Sequence, residues 1–410
     1  MKNKLKILLV SEYFPPKVFG GGEISAHSLA KALAGKNHEV FVLTSWFKGL
    51  KKFEKKEGFR ILRLLKTGSE PSSILSNLKR NFVFQKSLKK EIIKLDKREN
   101  FDAIHFLNTT SIPNFRLKKK TFATINGYTN FCPKRNLFYK EEEVCTGCNP
   151  KKFLKCITNS KVVGKSKMKW YLKNNPVFWY YIYRTYKKNN NNLKNVKTYF
   201  AISGFIRDLL QKNGVKKNNI ATIPNIIKIK NPDKRFDIME KGIIVTYIGP
   251  ALGKFKGVEM LIKSFNNVKG NAKLLIFGDG PEKEYLKTLA GKNIRFYKTV
   301  PYEYLYSIYE QSDIIVHPAL WPEPLSRVMV EALFFGKPMV ATNNGGNSEG
   351  IIDGENGFLF KNEKELTEKL SKIISSSKLR KQMGEKSKEI YLKKFEPEKV
   401  LSNIIKNYNA

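Results

Sequence analysis

Residues 313–346 read DIIVHPALWPEPLSRVMVEALFFGKPMVATNNGG, and this stretch decides the fold. Asp313–Val316 is a short continuous apolar run, the pattern of a parallel strand buried on both faces. Pro318–Pro324 then forms a rigid loop, and a helix is expected from about Leu325, spanning 325–335. Met339–Ala341 reads as the next strand. Strand, loop, helix, strand is one turn of a doubly wound parallel sheet, whose ligands bind at the carboxyl ends of the strands. Glu323 lies in that loop, and Glu331 lies about two turns along the helix. The amides near Leu325 and Ser326 form a helix N-terminus suited to phosphate. Two carboxylates flanking a phosphate-binding helix start suit a nucleotide-sugar: one accepts from sugar hydroxyls, the other from ribose.

The same alternation extends both ways. Upstream come strands 243–248, 273–277 and 294–296, with helices at 258–265, 282–290 and 302–311. The polar stretch 226–241 reads as a linker. Before it, Ile7–Val10, Val40–Leu43, Ala103–Phe106, Thr121–Ile125 and Thr198–Ile202 read as strands of an earlier sheet, with a helix over 24–34. Gly20-Gly21-Gly22 lies between the first strand and that helix, where glycine lets backbone approach a ligand. The expected plan is α/β: a first Rossmann-like domain at 1–225, a linker at 226–241, a second at 242–385, and a C-terminal helix at 386–410 packing back on the first.

The chain has 410 residues, enough for two or three domains. It carries 76 Lys+Arg against 36 Asp+Glu, a net charge of +40. The excess is uneven: residues 1–200 hold 42 basic and 13 acidic residues. A basic half implies a polyanion, an anionic membrane surface or an acidic substrate. Nucleic acid is disfavoured, since no zinc-finger spacing or aromatic RNA-binding motif is found. Segment 167–188 interleaves Trp170, Tyr171, Phe178, Trp179, Tyr180, Tyr181 and Tyr183 with Lys and Arg, which fits a headgroup layer or aromatics packed inside the domain. The longest apolar run, Val177–Tyr183, is far too short to span a bilayer. With no signal-peptide pattern, the expected location is cytoplasmic and peripheral on the inner face of the membrane. Composition leaves the oligomeric state open.

All four cysteines fall at Cys132, Cys145, Cys148 and Cys156. Cys145-x2-Cys148 has metal-ligand spacing, so a structural zinc is expected, with an iron–sulfur cluster or free thiols as alternatives. No Asp-x-Asp occurs, so no paired-carboxylate site for a divalent cation on a diphosphate is present in the sequence.

Glu323-x7-Glu331, then Gly336-Lys337-Pro338 and Gly345-Gly346, resembles the retaining glycosyltransferases of family 4, which have the two-domain GT-B fold. Ile276–Pro281, containing Gly278 and Gly280, is similar to that family's nucleotide-site turn, and Asp353-Gly354-x-x-Gly357-Phe358 to a later one. The resemblance covers nearly the whole chain and implies two Rossmann-like domains facing a cleft. It implies donor-sugar contacts at Glu323 and ribose contacts at Glu331. A diphosphate grip is implied at Lys256, with Lys254 supplying the charge of a family Arg whose position is Pro250. Gly21 and Gly22 are implied at the donor phosphate or acceptor. Thr124-Ile125-Asn126-Gly127-Tyr128, with a later Cys132-Pro133, resembles a subgroup with a Cys-containing acceptor loop, in which Asn126 stands where a His is usual. His105 is a second candidate at the reacting centre.

The implied activity is transfer of a sugar, with retention and without a catalytic metal, from a nucleotide diphosphate-sugar, most simply UDP-linked. The acceptor would be a glycan or a polyprenyl-diphosphate-linked glycan of the cell envelope. The alternatives are a nucleotide-sugar epimerase or hydrolase of the same fold, or a non-catalytic sugar- or nucleic-acid-binding protein.

Overall fold

A computed structural model describes residues 4–70, 73–160, 162–163, 166–167, 174–249 and 254–410. The chain divides into two compact units. The first comprises Met1–Glu141, Cys145–Ile226 and Pro397–Ala410; the second comprises Glu142–Val144 and Ile227–Glu396.

The first unit is built on an eight-stranded sheet: β1 (Lys6–Ser11), β2 (Glu39–Ser45), β3 (Phe53–Lys56), β4 (Phe59–Leu65), β5 (Ala103–Leu107), β6 (Thr121–Ile125), β7 (Thr198–Ala201) and β8 (Ile220–Thr222). Its order is β8-β7-β6-β5-β1-β2-β4-β3. Every pairing is parallel except β3 with β4. The chain winds one way from β1 and the other way from β5, so the switch point lies between their carboxyl ends. There the helix α1 (Gly21–Gly35) begins, its first turn closed by Glu23, whose carboxylate accepts from Gly20 N at 2.8 Å.

The helix Pro397–Asn409 belongs to this first unit. Val400, Leu401, Ile404 and Tyr408 join the core made by Ile7, Leu9, Val40 and Val42. Tyr408 also supplies a polar contact that the core requires. His105 is fully buried in β5, its Nδ1 2.6 Å from Tyr408 Oη and its Nε2 2.8 Å from Thr124 Oγ1. Burial pushes its pKa down to about 3, so the ring is neutral. Both nitrogens are occupied inside the core, which removes His105 from the reacting centre. Tyr408→Phe leaves one ring nitrogen unpaired in an apolar setting, and should cost about 1–3 kcal/mol. Urea unfolding of the two proteins checks this.

The second unit holds six parallel strands: β9 (Ile243–Ile248), β10 (Ala272–Phe277), β11 (Ile294–Tyr297), β12 (Ile314–His317), β13 (Met339–Thr342) and β14 (Gly357–Phe360). The order β11-β10-β9-β12-β13-β14 places the switch point between β9 and β12. One face is covered by α2 (Val258–Asn266) and α5 (Glu363–Ile374), among others, and the other by α3 (Tyr302–Gln311) and α4 (Arg327–Phe334).

Two expected boundaries move. Stretch 226–241 is not a free tether: Ile227 enters a core of the second unit, and Phe236 and Ile238 pack beside Phe277 and Tyr297. Phe236 N also donates to Ser307 Oγ at 2.8 Å. The final segment divides at Pro397 rather than 386, because helix Ser377–Lys394 runs unbroken within the second unit.

Candidate functional site

In the second unit the loops leaving β9 and β12 meet at the switch point. The loop after β12 carries Glu323, and the short turn Lys254–Lys256 ends the loop after β9. Lys256 Nζ lies 2.9 Å from Glu323 Oε1, both side chains being largely buried. His317, the last residue of β12, places Nε2 3.4 Å from Glu323 Oε2. Burial alone would raise the Glu323 pKa, but the facing His317 ring and Lys256 ammonium outweigh it and hold the carboxyl well below the usual carboxylate range. Trp321 stacks under the same ammonium, 5.6 Å from Lys256 Nζ to the ring centre.

Backbone approach fixes this loop. Gly257 has φ +71°, and a Cβ there would sit 1.9 Å from Pro318 O. Gly345 has φ +61°, and its Cβ would lie 2.3 Å from Glu323 O. Gly346 N donates to Glu323 O at 2.7 Å, and Asn344 Nδ2 to Leu320 O at 3.0 Å. The Gly345-Gly346 pair therefore acts as a clamp on the glutamate loop, and only residues without a side chain allow it.

Among the described residues, Tyr247 Oη and the His317 ring nitrogens are buried beside this loop without hydrogen-bond partners. The His317–Glu323 approach is an electrostatic contact rather than an aligned hydrogen bond. Sequence reading left both residues unassigned. Tyr247 lies in β9 and His317 ends β12, the two strands at the switch point, which is the signal that could have found them.

Ser326 is fully buried and caps α4, accepting from Met329 N at 3.3 Å, so the helix starts at Arg327 rather than Leu325. Glu331 lies in the second turn and is 2% exposed. It accepts from Arg327 Nε at 2.7 Å and Tyr309 Oη at 2.8 Å, with Tyr302 Oη at 3.4 Å. Its carboxylate is thus occupied by protein donors, and the i,i+4 partner Arg327 was missed in the sequence. Lys254 is exposed, and Pro250 lies outside the described residues. In the turn after β10, Gly278 and Gly280 flank Asp279, which accepts from Lys283 Nζ and Thr299 N, each at 2.7 Å. The Lys283 and Thr299 bonds hold Asp279 down to about 2.

The first unit gathers a second set at its own switch point. Asn126 follows β6, and its Nδ2 donates to Asn108 Oδ1 at 2.6 Å. Asn108 follows β5 and donates from Nδ2 to Ser11 Oγ at 3.2 Å. A Cβ on Gly22 would lie 2.4 Å from Asn108 Oδ1. Gly22, Asn108, Thr124 and Asn126 line one small pocket. Gly21 opens α1 with open space beside it. Asn108 has φ +69°, a costly conformation for a side chain other than glycine. One side chain thus ties three loops together, and sequence reading did not single it out. Asn108→Gly removes both bonds while easing the backbone. It should slow turnover about tenfold, the worth of two hydrogen bonds, with the melting temperature little changed, as read by initial rates and calorimetry.

The four cysteines are free thiols around one pocket in the first unit. Burial, then the neighbouring Cys132, Cys145 and Cys156, pushes the Cys148 thiol up to about 12. In the aromatic segment, Trp170 and Tyr171 lie outside the described residues. On helix Pro176–Asn191, Val177 and Tyr180 are exposed while Tyr186 is buried. No helix among the described residues is long and apolar enough to cross a membrane.

The profile of Glycosyltransferase Family 4 matches residues 19–231, and that of Glycosyl transferases group 1 matches 229–408. Spore coat protein SA of Bacillus subtilis is 29% identical over 182 residues, 40% of this chain and 48% of that protein. The chain spans about half the length of the curated relatives it matches. Among solved structures, sucrose-phosphate synthase from Thermosynechococcus elongatus superposes with TM-score 0.68 at 17% identity, over 99% of this chain and 98% of that one. A Staphylococcus aureus TarM variant, in complex with fondaparinux, alpha-GlcNAc-glycerol and UDP, gives 0.62 at 15% identity, over 99% and 100%. At these identities the structures show the fold alone.

Proposed function

Since the chain belongs to glycosyltransferase family 4, we propose that it transfers a sugar from a nucleotide diphosphate-sugar to a glycan acceptor, with retention at the anomeric carbon. The observation that carries this reading is Glu323: a buried carboxylate, kept ionised by Lys256 and His317, on the loop at the second unit's switch point. A carboxylate so held is a preorganised acceptor for sugar hydroxyls. Lys256 supplies positive charge for the diphosphate, in the place a metal takes in enzymes with paired aspartates. Gly278, Gly280, Leu325 and Ser326 belong to the turns at the same sheet edge and are assigned to the donor. Lys254 is assigned a supporting charge.

Glu331 is assigned to the ribose. Its present donors, Arg327 and the tyrosines, orient the carboxylate, and a ribose hydroxyl would have to replace one of them. Asn126, held by Asn108, is assigned to hydrogen bonding at the reacting centre, where it cannot serve as a base. In a retaining transfer on one face of the sugar, the leaving phosphate takes the acceptor proton, so no base is required there. UDP as the leaving group is favoured by the UDP in the TarM complex. The net charge of +29 over residues 1–200 favours an anionic acceptor, such as a polyprenyl-diphosphate-linked or envelope glycan, presented at an anionic membrane surface.

Incubation with UDP-, GDP- and ADP-sugars tests the reading. Transfer requires nucleotide release that depends on one donor and rises with lipid-linked or glycan acceptors. Release unaffected by any acceptor indicates a hydrolase, and no release with any donor removes the enzymatic reading.

A further inference from the structure

The cysteine cluster lies outside the machinery above, and its surroundings are built for sulfur. We propose that Cys132, Cys145, Cys148 and Cys156 form a structural site for one thiophilic divalent ion, zinc, that staples the segment between β6 and β7.

The four residues come from two stretches of chain. Cys132 follows β6, while Cys145 and Cys148 precede the helix Pro150–Thr158, which carries Cys156. All four line one cavity of ≈ 20 Å³. That volume has room for at least a single bound atom. Its apolar wall includes Phe131, Phe138 and Phe153.

Backbone amides point at the sulfurs. Lys140 N donates to Cys156 Sγ at 3.5 Å, and the backbone amides of Asn136, Leu137 and Lys134 lie near the Cys132 thiol and favour its ionised form. A neutral buried thiol has little need of such amides. They match what a metal-bound thiolate needs, since its negative charge is stabilised by such donors. Aiming them is costly to the chain: Arg135, Leu137 and Lys140 all take positive φ, at 64°, 50° and 52°.

Lys134 supplies an independent observation. It lines the same cavity and is 1% exposed, with its Nζ 2.5 Å from Ser160 Oγ. Among the described residues no carboxylate is paired with it. A buried ammonium without a counter-charge is costly. Four thiolates around one divalent cation carry a net charge of −2, which meets that need.

In this structure two of the thiols direct their S–H groups at nearby carbonyls. Cys145 Sγ donates to Gly147 O at 3.2 Å and Cys148 Sγ towards Asn149 O at 3.8 Å. Among the described residues no three metal-ligating side chains stand as a group. Binding accounts for the difference. Each thiol releases a proton to solvent as its sulfur–metal bond forms, and no redox change occurs. A thiolate cannot donate to a carbonyl, so Cys145 and Cys148 lose those bonds and their sulfurs close on the ion in the cavity they already line.

The full chain, purified with a non-chelating reductant, is assayed for metal by mass spectrometry and then loaded with Co²⁺. About one zinc per chain is expected, together with a thiolate-to-cobalt charge-transfer band and tetrahedral ligand-field bands. The Cys145→Ser, Cys148→Ser double variant should lose both; if it fails to fold, the cobalt spectrum of the unaltered chain decides. Reduced protein that holds no zinc and gives no thiolate–cobalt band overturns the proposal. So does zinc that persists in a folded double variant, or iron with acid-labile sulfide in zinc's place. None of these readouts depends on sugar transfer.

Discussion

Glu323→Ala should lower the rate of sugar transfer about 10²–10³-fold, the usual loss when one preorganised electrostatic partner is removed from a reacting centre. Nucleotide affinity should change far less, because the carboxylate is assigned to the sugar rather than the diphosphate. Glu323→Gln keeps an acceptor oxygen while removing charge, and should fall between. The loop itself should survive the change. It is held by Gly346 N on the Glu323 carbonyl and by Asn344 Nδ2 on Leu320 O, neither of which involves the carboxylate. Initial rates with a saturating donor, set beside calorimetric titration of the nucleotide, measure both halves. A Glu323→Ala protein that transfers within about threefold of the parent, well short of the loss expected at such a site, would show that the carboxylate does not face the donor sugar.

Lys256→Met should produce the opposite division. The side chain keeps its length and apolar stem but gives the diphosphate no charge. A charged hydrogen bond is worth about 1.5–3 kcal/mol, so nucleotide affinity should fall roughly tenfold to a hundredfold. Unchanged affinity by calorimetry would remove Lys256 from the site.

The substitution also strands Glu323 without its cation, and breaking one side of a buried pair costs about 3 kcal/mol or more. That cost carries a pH signature. The folded-state pKa of Glu323 lies below its unfolded value of about 4.3. The pair's contribution is therefore complete above the unfolded value and is lost as pH falls through the folded one. The stability gap between parent and Lys256→Met should be widest at neutral pH and narrow in acid. Urea unfolding at about pH 7 and at about pH 2, well below the ordinary carboxylate range, reads it. A gap of constant width would mean that the pair is not ionised.

Much of the fold was legible because parallel strands buried on both faces read as unbroken apolar runs. Leu8–Val10, Ile314–Val316 and Met339–Ala341 carry that signal without help from neighbours. Glu323 was legible on the loop after such a strand, whereas Lys256 came from the resemblance to family 4; the structure brings the two side chains to 2.9 Å.

What escaped depends on partners far apart in sequence. His105 looked like a reactive group near a strand end, yet its ring is fixed by Tyr408, three hundred and three residues later. Asn108 gains its importance from Ser11, Gly22 and Asn126, which the β5–β1 and β5–β6 pairings bring to one edge. Stretch 226–241 read as a tether because its apolar residues follow no helix or strand period. Ile227, Phe236 and Ile238 are nevertheless spaced to dip one at a time into neighbouring cores. Arg327 was the avoidable omission, since it stands four residues before Glu331 on a helix already identified.

The helix Pro397–Asn409 has a consequence for biosynthesis. A ribosome delivers the first two hundred residues early, but the helix that completes their core, with Val400, Leu401, Ile404 and Tyr408, emerges only after the whole of the second unit. Until then one flank of the nascent sheet stays open, and His105 waits for its hydroxyl. The later half of the chain, whose core draws on no residue beyond Glu396, can mature first. Order of synthesis and order of completion are therefore reversed, and the unfinished front half is the species a chaperone would meet.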